Sequence, residues 1–396
     1  MNIEKLRAWW SHRQGLDGRL RGSSPAEILK ETGWARSVGG SNPYFTLFAR
    51  GHHSRARVDQ AVVDLEIHEL PSVRGCTYVL PAEDFAFGLT TGAPYREAEM
   101  RVAYKLGVTD LEIESLCNAI LCALGDKTLS PDEIRAATGN ASRSLGEEGK
   151  KKGIATTVPL ALGKLQARGS IRRVPVDGRL DQQRYKYVRW APNPRDGYHR
   201  EPNVIACELA RKFFRWTGPA TLTEFQWFSA LGVGAAKSAV APLNLVPIEV
   251  DSDRLLLPED LDKFLAFERP ATPQYSLVSS IDGISLLRRD LQSIVDPEDG
   301  KRSVFSGKGM TNLGALADLP SNAILDRGRV IGLWEYDTTT TSIAWYPFVA
   351  RNAGLDAAVD QTECFVRDQL GDARSFSLDS PKSREPLIAA LRAAAD

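Results

Sequence analysis

Apolar positions along this chain recur at helical spacing in three successive groups, and each group ends in short stretches that alternate like strands. In residues 1–95, Leu6, Trp9 and Trp10 give an opening helix its apolar face. Ser24-Pro25-Ala26-Glu27 starts a second helix, with a serine cap, a proline in the first turn and an acid behind it, and Gly33 ends it. Residues 44–49 resume an apolar run, and Val58, Ala61, Val62 and Leu65 form a buried helical stripe. Residues 76–80 are rich in strand formers, and Pro81-Ala82-Glu83-Asp84 reads as a turn into a helix.

The cycle repeats more plainly in residues 96–192. Residues 111–124 form an amphipathic helix, Ser130-Pro131-Asp132-Glu133 opens a shorter one that stops at Gly139, and the charged segment 147–153 reads as flexible. Residues 157–168 turn Val158, Leu162 and Leu165 inward and are the candidate recognition helix. Residues 171–176 and 184–190 are strands joined by Asp177-Gly178-Arg179, a hairpin signal. Three helices and a hairpin make a winged helix, a helix-turn-helix variant whose last helix usually enters a major groove.

After a linker at 191–194, residues 200–268 run through a third cycle. Helices are expected over 204–216, 221–229 and 234–241, then a short hairpin around Asp251-Ser252-Asp253 that carries little basic charge and reads as a spacer or clamp. From residue 273 the runs at 275–281, 330–336 and 342–348 are β-prone, and helices follow at 356–370 and 385–394. The expected fold class is α+β: three tandem winged-helix (helix-turn-helix) units at 1–95, 96–192 and 200–268, then a C-terminal β-rich, barrel-like domain at 273–396.

No apolar run approaches the roughly 20 residues of a membrane-spanning helix. The opening residues lack the apolar core and small-residue cleavage site of a secretory signal. A cytoplasmic protein is expected, nucleoid-associated when bound to DNA. The cysteines (76, 117, 122, 207 and 364) are scattered without a Cys-x-x-Cys, and the histidines do not join them at zinc-ligand spacing, so no metal, cofactor or disulfide is expected.

The formal net charge is zero, yet charge is uneven. From Arg143 to Arg195 thirteen basic side chains stand against four acidic ones, a local balance of +9. That asymmetry is the footprint of a phosphate-binding surface and points to double-stranded DNA as the partner. The candidate contacts are Lys150, Lys151, Lys152, Arg172, Arg173, Arg179, Arg184 and Lys186. The lysine run reads either as a solvated loop or, given its place just before the candidate recognition helix and the basic hairpin, as a phosphate contact. Tyr185 and Tyr187 either stack on bases or pack under the hairpin; alternation puts both on one strand face, which favours packing. Arg74-Gly75 offers a second arginine site: glycine lets the backbone approach a phosphate while the guanidinium forks onto its oxygens, or the arginine is simply structural at a turn.

Arg74-Gly75-Cys76-Thr77-Tyr78-Val79-Leu80-Pro81-Ala82-Glu83-Asp84 resembles the Arg-Gly-Thr-Leu-His-Leu-Val-Pro-Ala-Glu-Asp stretch of the AlkZ/YcaQ family of winged-helix DNA glycosylases, with Tyr78 where histidine is usual. Thr217-Gly218-Pro219-Ala220-Thr221, residues 276–288 and residues 328–334 follow in the family's order, so the resemblance covers nearly the whole chain. It implies hydrolysis of the bond between a modified base and its sugar, through a transition state with oxocarbenium character. In that family a Gln-x-Gln or Gln-x-Asp pair does this work. Counting from Gly33 puts the pair at Ala35 and Ser37; counting back from Pro43 puts it at Arg36 and Val38. Neither register holds a glutamine or a carboxylate.

The polar groups left near this loop are Ser37, Asn42, His68 and Glu69, with Arg36 as a further DNA contact. Ser37 or Asn42 either places a water or caps a turn in the Gly-Gly-Ser-Asn-Pro loop. His68 and Glu69 either form an acid/base pair or are merely solvated, and as strand neighbours they point to opposite faces. The reading that results is a DNA-repair glycosylase for alkylated or crosslinked purines. The alternative is a non-catalytic winged-helix DNA-binding protein or transcription regulator. No heptad marks a dimer, and a monomer without a protein partner is expected.

Overall fold

A computed structural model of the chain describes residues 2–395. The N-terminal unit holds α1 (Ile3–Arg13), α2 (Pro25–Thr32), α3 (Asn42–Gly51) and α4 (Arg55–Val63) around a three-stranded antiparallel sheet. Its strands are β1 (Ala35–Arg36), β2 (Ile67–Pro71) and β3 (Thr77–Pro81), in the order β1-β3-β2. The start of α2 carries the capping box its sequence predicts: Ser24 Oγ accepts from the Glu27 amide, and Glu27 accepts from the Ser24 amide. A single helix, α5 (Phe85–Tyr104), then runs across the expected boundary at residue 95, with Pro94 inside it.

The second unit comprises α6 (Asp110–Leu124), α7 (Pro131–Thr138), α8 (Gly146–Lys151), α9 (Val158–Ala167) and the hairpin of β4 (Ile171–Pro175) and β5 (Tyr185–Arg189). Two expectations need correcting here. The 147–153 segment is largely the short helix α8 rather than a flexible loop. The candidate recognition helix α9 packs against both α5 and α6 and buries all of its residues except Pro159 and Lys164, so it has no free face for a major groove. Its apolar run is wider than the three-residue stripe implied, because a buried helix is apolar on most of its circumference.

The third unit has α10 (Pro202–Thr217), α11 (Leu222–Ser229), α12 (Val233–Val240), a minimal hairpin of β6 (Val246–Pro247) and β7 (Leu255–Leu256), and α13 (Pro258–Ala266). The C-terminal region opens with β8 (Tyr275–Val278) and the one-turn helices α14 (Gly283–Leu286), α15 (Leu291–Ile294) and α16 (Pro297–Gly300). There follow β9 (Ser303–Phe305), β10 (Met310–Asn312), β11 (Asn322–Asp326), β12 (Arg329–Asp337), β13 (Ser342–Pro347), α17 (Ala353–Phe365) and α18 (Pro381–Ala395).

The main C-terminal sheet is open, in the antiparallel order β13-β12-β11-β8, and no closed barrel forms among the described residues. Helices cover both of its faces: one packs with α3 and α17 (Phe45, Val359), the other with α1 (Leu6, Trp10) and Leu391 of α18. A barrel hides one face inside itself, whereas this sheet must bury both, which explains the almost unbroken apolar run of β12. Gly328 turns β11 into β12 at φ +79°, against α1, and a Cβ there would lie 2.1 Å from the Arg7 carbonyl oxygen.

Packing ties these parts together. Residues of the N-terminal unit share their apolar clusters with the C-terminal sheet and with the third unit, while the second unit closes a cluster of its own. The Trp9 and Trp10 indoles donate to the Gly218 and Pro219 carbonyls, and Arg50 forks onto Asp282, both fully buried, at 2.8 Å to each oxygen. No helix among the described residues is long and apolar enough to cross a membrane.

Candidate functional site

The register of the N-terminal sheet decides what its residues can touch. Arg36 lies opposite Tyr78, and Ala35 and Glu69 lie opposite Val79 from either side. Alternation therefore gives one face to Arg36, Tyr78 and His68 and the other to Ser37 and Glu69.

The first face opens, at Arg36 and Tyr78, onto a cleft of about 430 Å³ shared with the third unit and the C-terminal region. Arg36, Arg74, Tyr78, Trp227, Arg289 and Asp318 line it. The turn between β2 and β3 supplies Arg74, whose guanidinium lies 3.2 Å from the centroid of the Trp227 ring. Arg289 approaches the same ring at 4.8 Å and forks onto Asp318, both contacts 3.1 Å. Both arginines hold left-handed backbone, φ 60° and 53°, which is costly for residues with a Cβ and concentrates at working sites. Between them the Trp227 indole N–H is buried and has no hydrogen-bond partner among the described residues. Arg36 donates to the Thr77 carbonyl at 3.0 Å and lies over the Tyr78 ring, while burial pushes the Tyr78 phenol up to about 12. The cleft thus presents three guanidiniums, an indole, a protonated phenol and, among its described lining residues, one carboxylate.

The second face is closed. Ser37 Oγ donates to Glu69 at 2.5 Å, Arg173 of β4 pairs with the same carboxylate at 3.2 Å, and Tyr185 of β5 donates to it at 3.4 Å while lying under Arg173. Ser37 and Glu69 are 1% and 3% exposed. This network joins the basic hairpin to the N-terminal sheet. Asn42 is equally buried and donates to the Arg36 carbonyl at 2.7 Å, so it braces the loop. His68 makes no pair with Glu69. Its ring packs edge-on against Phe85 and Trp190, neither nitrogen has a partner among the described residues, and burial, with Arg172 and Arg173 nearby, pushes it down to about 3. None of the four polar candidates of the loop lines the cleft.

The basic candidates divide in the same way. Lys150, Lys151, Lys152 and Arg184 are exposed, and Arg172 and Lys186 are partly so. Arg173 is committed to Glu69, and Arg179 to Asp181 and the Leu370 carbonyl, so neither is available to a phosphate: internal carboxylates have taken both. Of the two registers for the absent glutamine pair, only the count from Pro43 faces solvent: Arg36 and Val38 are half-buried, whereas Ala35 and Ser37 are buried. Of the acids in the Pro81–Asp84 turn, Asp84 is structural, holding the Trp34 indole at 2.8 Å and Lys212 at 2.7 Å, and Glu83 pairs with Lys30 at the surface at 2.9 Å.

Trp227, Arg289 and Asp318 escaped the sequence reading. One signal pointed to Trp227: it sits off the buried stripe of Phe225 and Phe228 in α11, a large aromatic without a core position. Asp318 carries no local pattern, since a loop sets it beside residues 29 and more positions away.

A family model described as DNA glycosylase AlkZ-like matches residues 36–362. Among solved structures the chain is similar to the Streptomyces sahachiroi DNA glycosylase AlkZ, with a TM-score of 0.68 at 18% identity, covering 94% of this chain and 97% of that one. Curated protein sequences give no match.

Proposed function

Because the chain belongs to the AlkZ-like DNA glycosylase family, we propose that it binds duplex DNA across this cleft and hydrolyses the N-glycosidic bond of alkylated purines, including purines held in crosslinks. The observation that carries the reading is the pairing of three guanidiniums with a single oriented carboxylate around an unpartnered indole N–H. Arg36 and Arg74 take the phosphates that flank the modified nucleotide. The Trp227 ring holds the Arg74 and Arg289 guanidiniums at the cleft wall. The Asp318 carboxylate, fixed by the Arg289 fork, faces the positive charge that develops on the sugar as the bond breaks. An alkylated purine that is already cationic leaves readily, so positioning and one carboxylate suffice where the glutamine pair is missing.

In this reading residues 1–95, 96–192 and 200–268 are three winged-helix units and the chain acts as a monomer without cofactor. The basic hairpin and α8 supply the phosphate surface of the second unit, with α9 as its core rather than its reader. The test is release of 7-methylguanine from duplex DNA at enzyme excess. A second reading, a non-catalytic DNA-binding protein, is favoured by one observation: Arg36 puts a cation where the family places a hydrogen-bonding amide. Intact DNA binding without base release would establish it.

A further inference from the structure

A strap of the C-terminal region crosses the loop that leaves β1. The Ser377 amide donates to the Val38 carbonyl at 3.1 Å, and the Ser41 amide to the Arg374 carbonyl at 2.8 Å. Ser41 Oγ donates to the Asp372 carbonyl at 3.1 Å, Ser375 and Ser280 hydroxyls bond at 2.9 Å, and Arg374 reaches the Asp181 carbonyl in the basic hairpin's loop at 2.6 Å. The approach is close enough to require glycine: a Cβ on Gly40 would lie 2.2 Å from the Ser375 carbonyl oxygen.

Held in this way, the strap displays two large apolar side chains. Phe376 is 45% exposed and forms part of the cleft wall, and Leu378, two residues on, is 91% exposed. Their turn is closed on itself, the Phe376 amide donating to Asp379 Oδ2 at 2.8 Å and the Asp379 amide to the Phe376 carbonyl at 3.1 Å. Exposure alone would mean little, since Leu111 and Val250 are as open. Phe376 and Leu378 differ in their setting: Phe376 forms part of the wall of a cleft lined by Arg36, Arg74 and Arg289, and Leu378 follows it in the same closed turn, on a segment held to the loop after β1.

We infer that Phe376 and Leu378 form a wedge that enters the base stack of duplex DNA beside the cleft and unstacks the nucleotide that the cleft receives. Apolar side chains inserted between base steps kink the duplex, and chemistry on a base requires that base to leave the stack. The guanidiniums hold the phosphates on either side, and the Arg374 contact keeps the wedge in register with the basic hairpin. The inference rests on the DNA-binding reading above.

The experiment uses the full chain and a duplex with 2-aminopurine beside a tetrahydrofuran abasic analogue, following affinity by anisotropy and unstacking by 2-aminopurine fluorescence. Wild type should bind and raise the fluorescence severalfold. F376A/L378A should keep its Kd within about fivefold, because wedge contact and unstacking cost offset one another, yet lose most of the rise. Phe376→Leu should retain it. Both side chains being exposed, melting temperatures should match. Binding by wild type without a rise, or a full rise with the double variant, overturns the wedge alone. Absence of DNA binding overturns the functional reading and the wedge with it.

Discussion

Arg74 and Trp227 lie face to face, the guanidinium 3.2 Å from the ring centroid, so that a turn of the N-terminal unit meets a helix of the third across the cleft. Such contacts contribute about 0.5–2 kcal/mol, which the left-handed backbone of Arg74 largely offsets. Arg74→Gly should therefore leave unfolding free energy within about 1 kcal/mol of wild type while weakening DNA binding roughly tenfold, ~1.4 kcal/mol. Arg74→Lys keeps the strained backbone but cannot fork, and should also bind more weakly. Lowered melting temperature with unchanged affinity would assign Arg74 to structure alone.

Affinity should fall steeply with salt. About four to six phosphate contacts give a log–log slope of roughly −4 to −5, and K150A/K151A/K152A should flatten it by about one to three. All three lysines are exposed, and Lys150 pairs with its helix neighbour Glu147 at 2.7 Å. An unchanged slope would remove α8 from the interface.

Arg173→Met should destabilise the fold by about 3 kcal/mol, because it leaves the Glu69 carboxylate buried without its cation. Adding Glu69→Gln should recover much of that loss. Denaturant titrations of the two single variants and the double would measure the coupling. Strict additivity would mean that Ser37 and Tyr185 alone satisfy Glu69.

His68 makes stability fall in mild acid. Its ordinary value is 6.5 and burial takes it to about 3. Between the two, the unfolded chain binds a proton that the folded chain refuses, so the contribution is complete above 6.5 and is lost as pH falls toward 3. His68→Phe removes this dependence and an unpartnered polar ring. It should gain about 2 kcal/mol over wild type at about pH 5, with DNA affinity unchanged. Parallel pH–stability curves for the two proteins would contradict the assignment.

The sequence carried the helix starts at Ser24, Ser130 and Thr221, each with the capping box that its residues spell out. It also carried β12 and β13, as β-prone runs, and the basic hairpin, where strand formers flank turn residues. It did not carry β1 or β11, whose pairing is set by partners 42 or more positions away or by a neighbouring hairpin strand. Nor could it separate Arg173 from Arg184: both sit in one basic stretch, and only the fold brings Glu69 to the first and leaves the second in solvent. The cleft was half legible. Arg74 stood out beside Gly75 and Arg36 through the count back from Pro43, whereas Asp318 depends on a long-range approach that no spacing records.

The most direct test of the account is single-turnover release of 7-methylguanine from duplex DNA, with a uracil-containing duplex alongside. Wild type should release the cationic base slowly but above the uncatalysed background, and uracil not at all. Asp318→Asn should slow that release by about a hundredfold with DNA affinity little changed, and Arg36→Gln, which returns an amide to the cleft face of β1, should speed it. Release at background by wild type that still binds DNA would contradict the glycosylase reading and leave a DNA-binding protein.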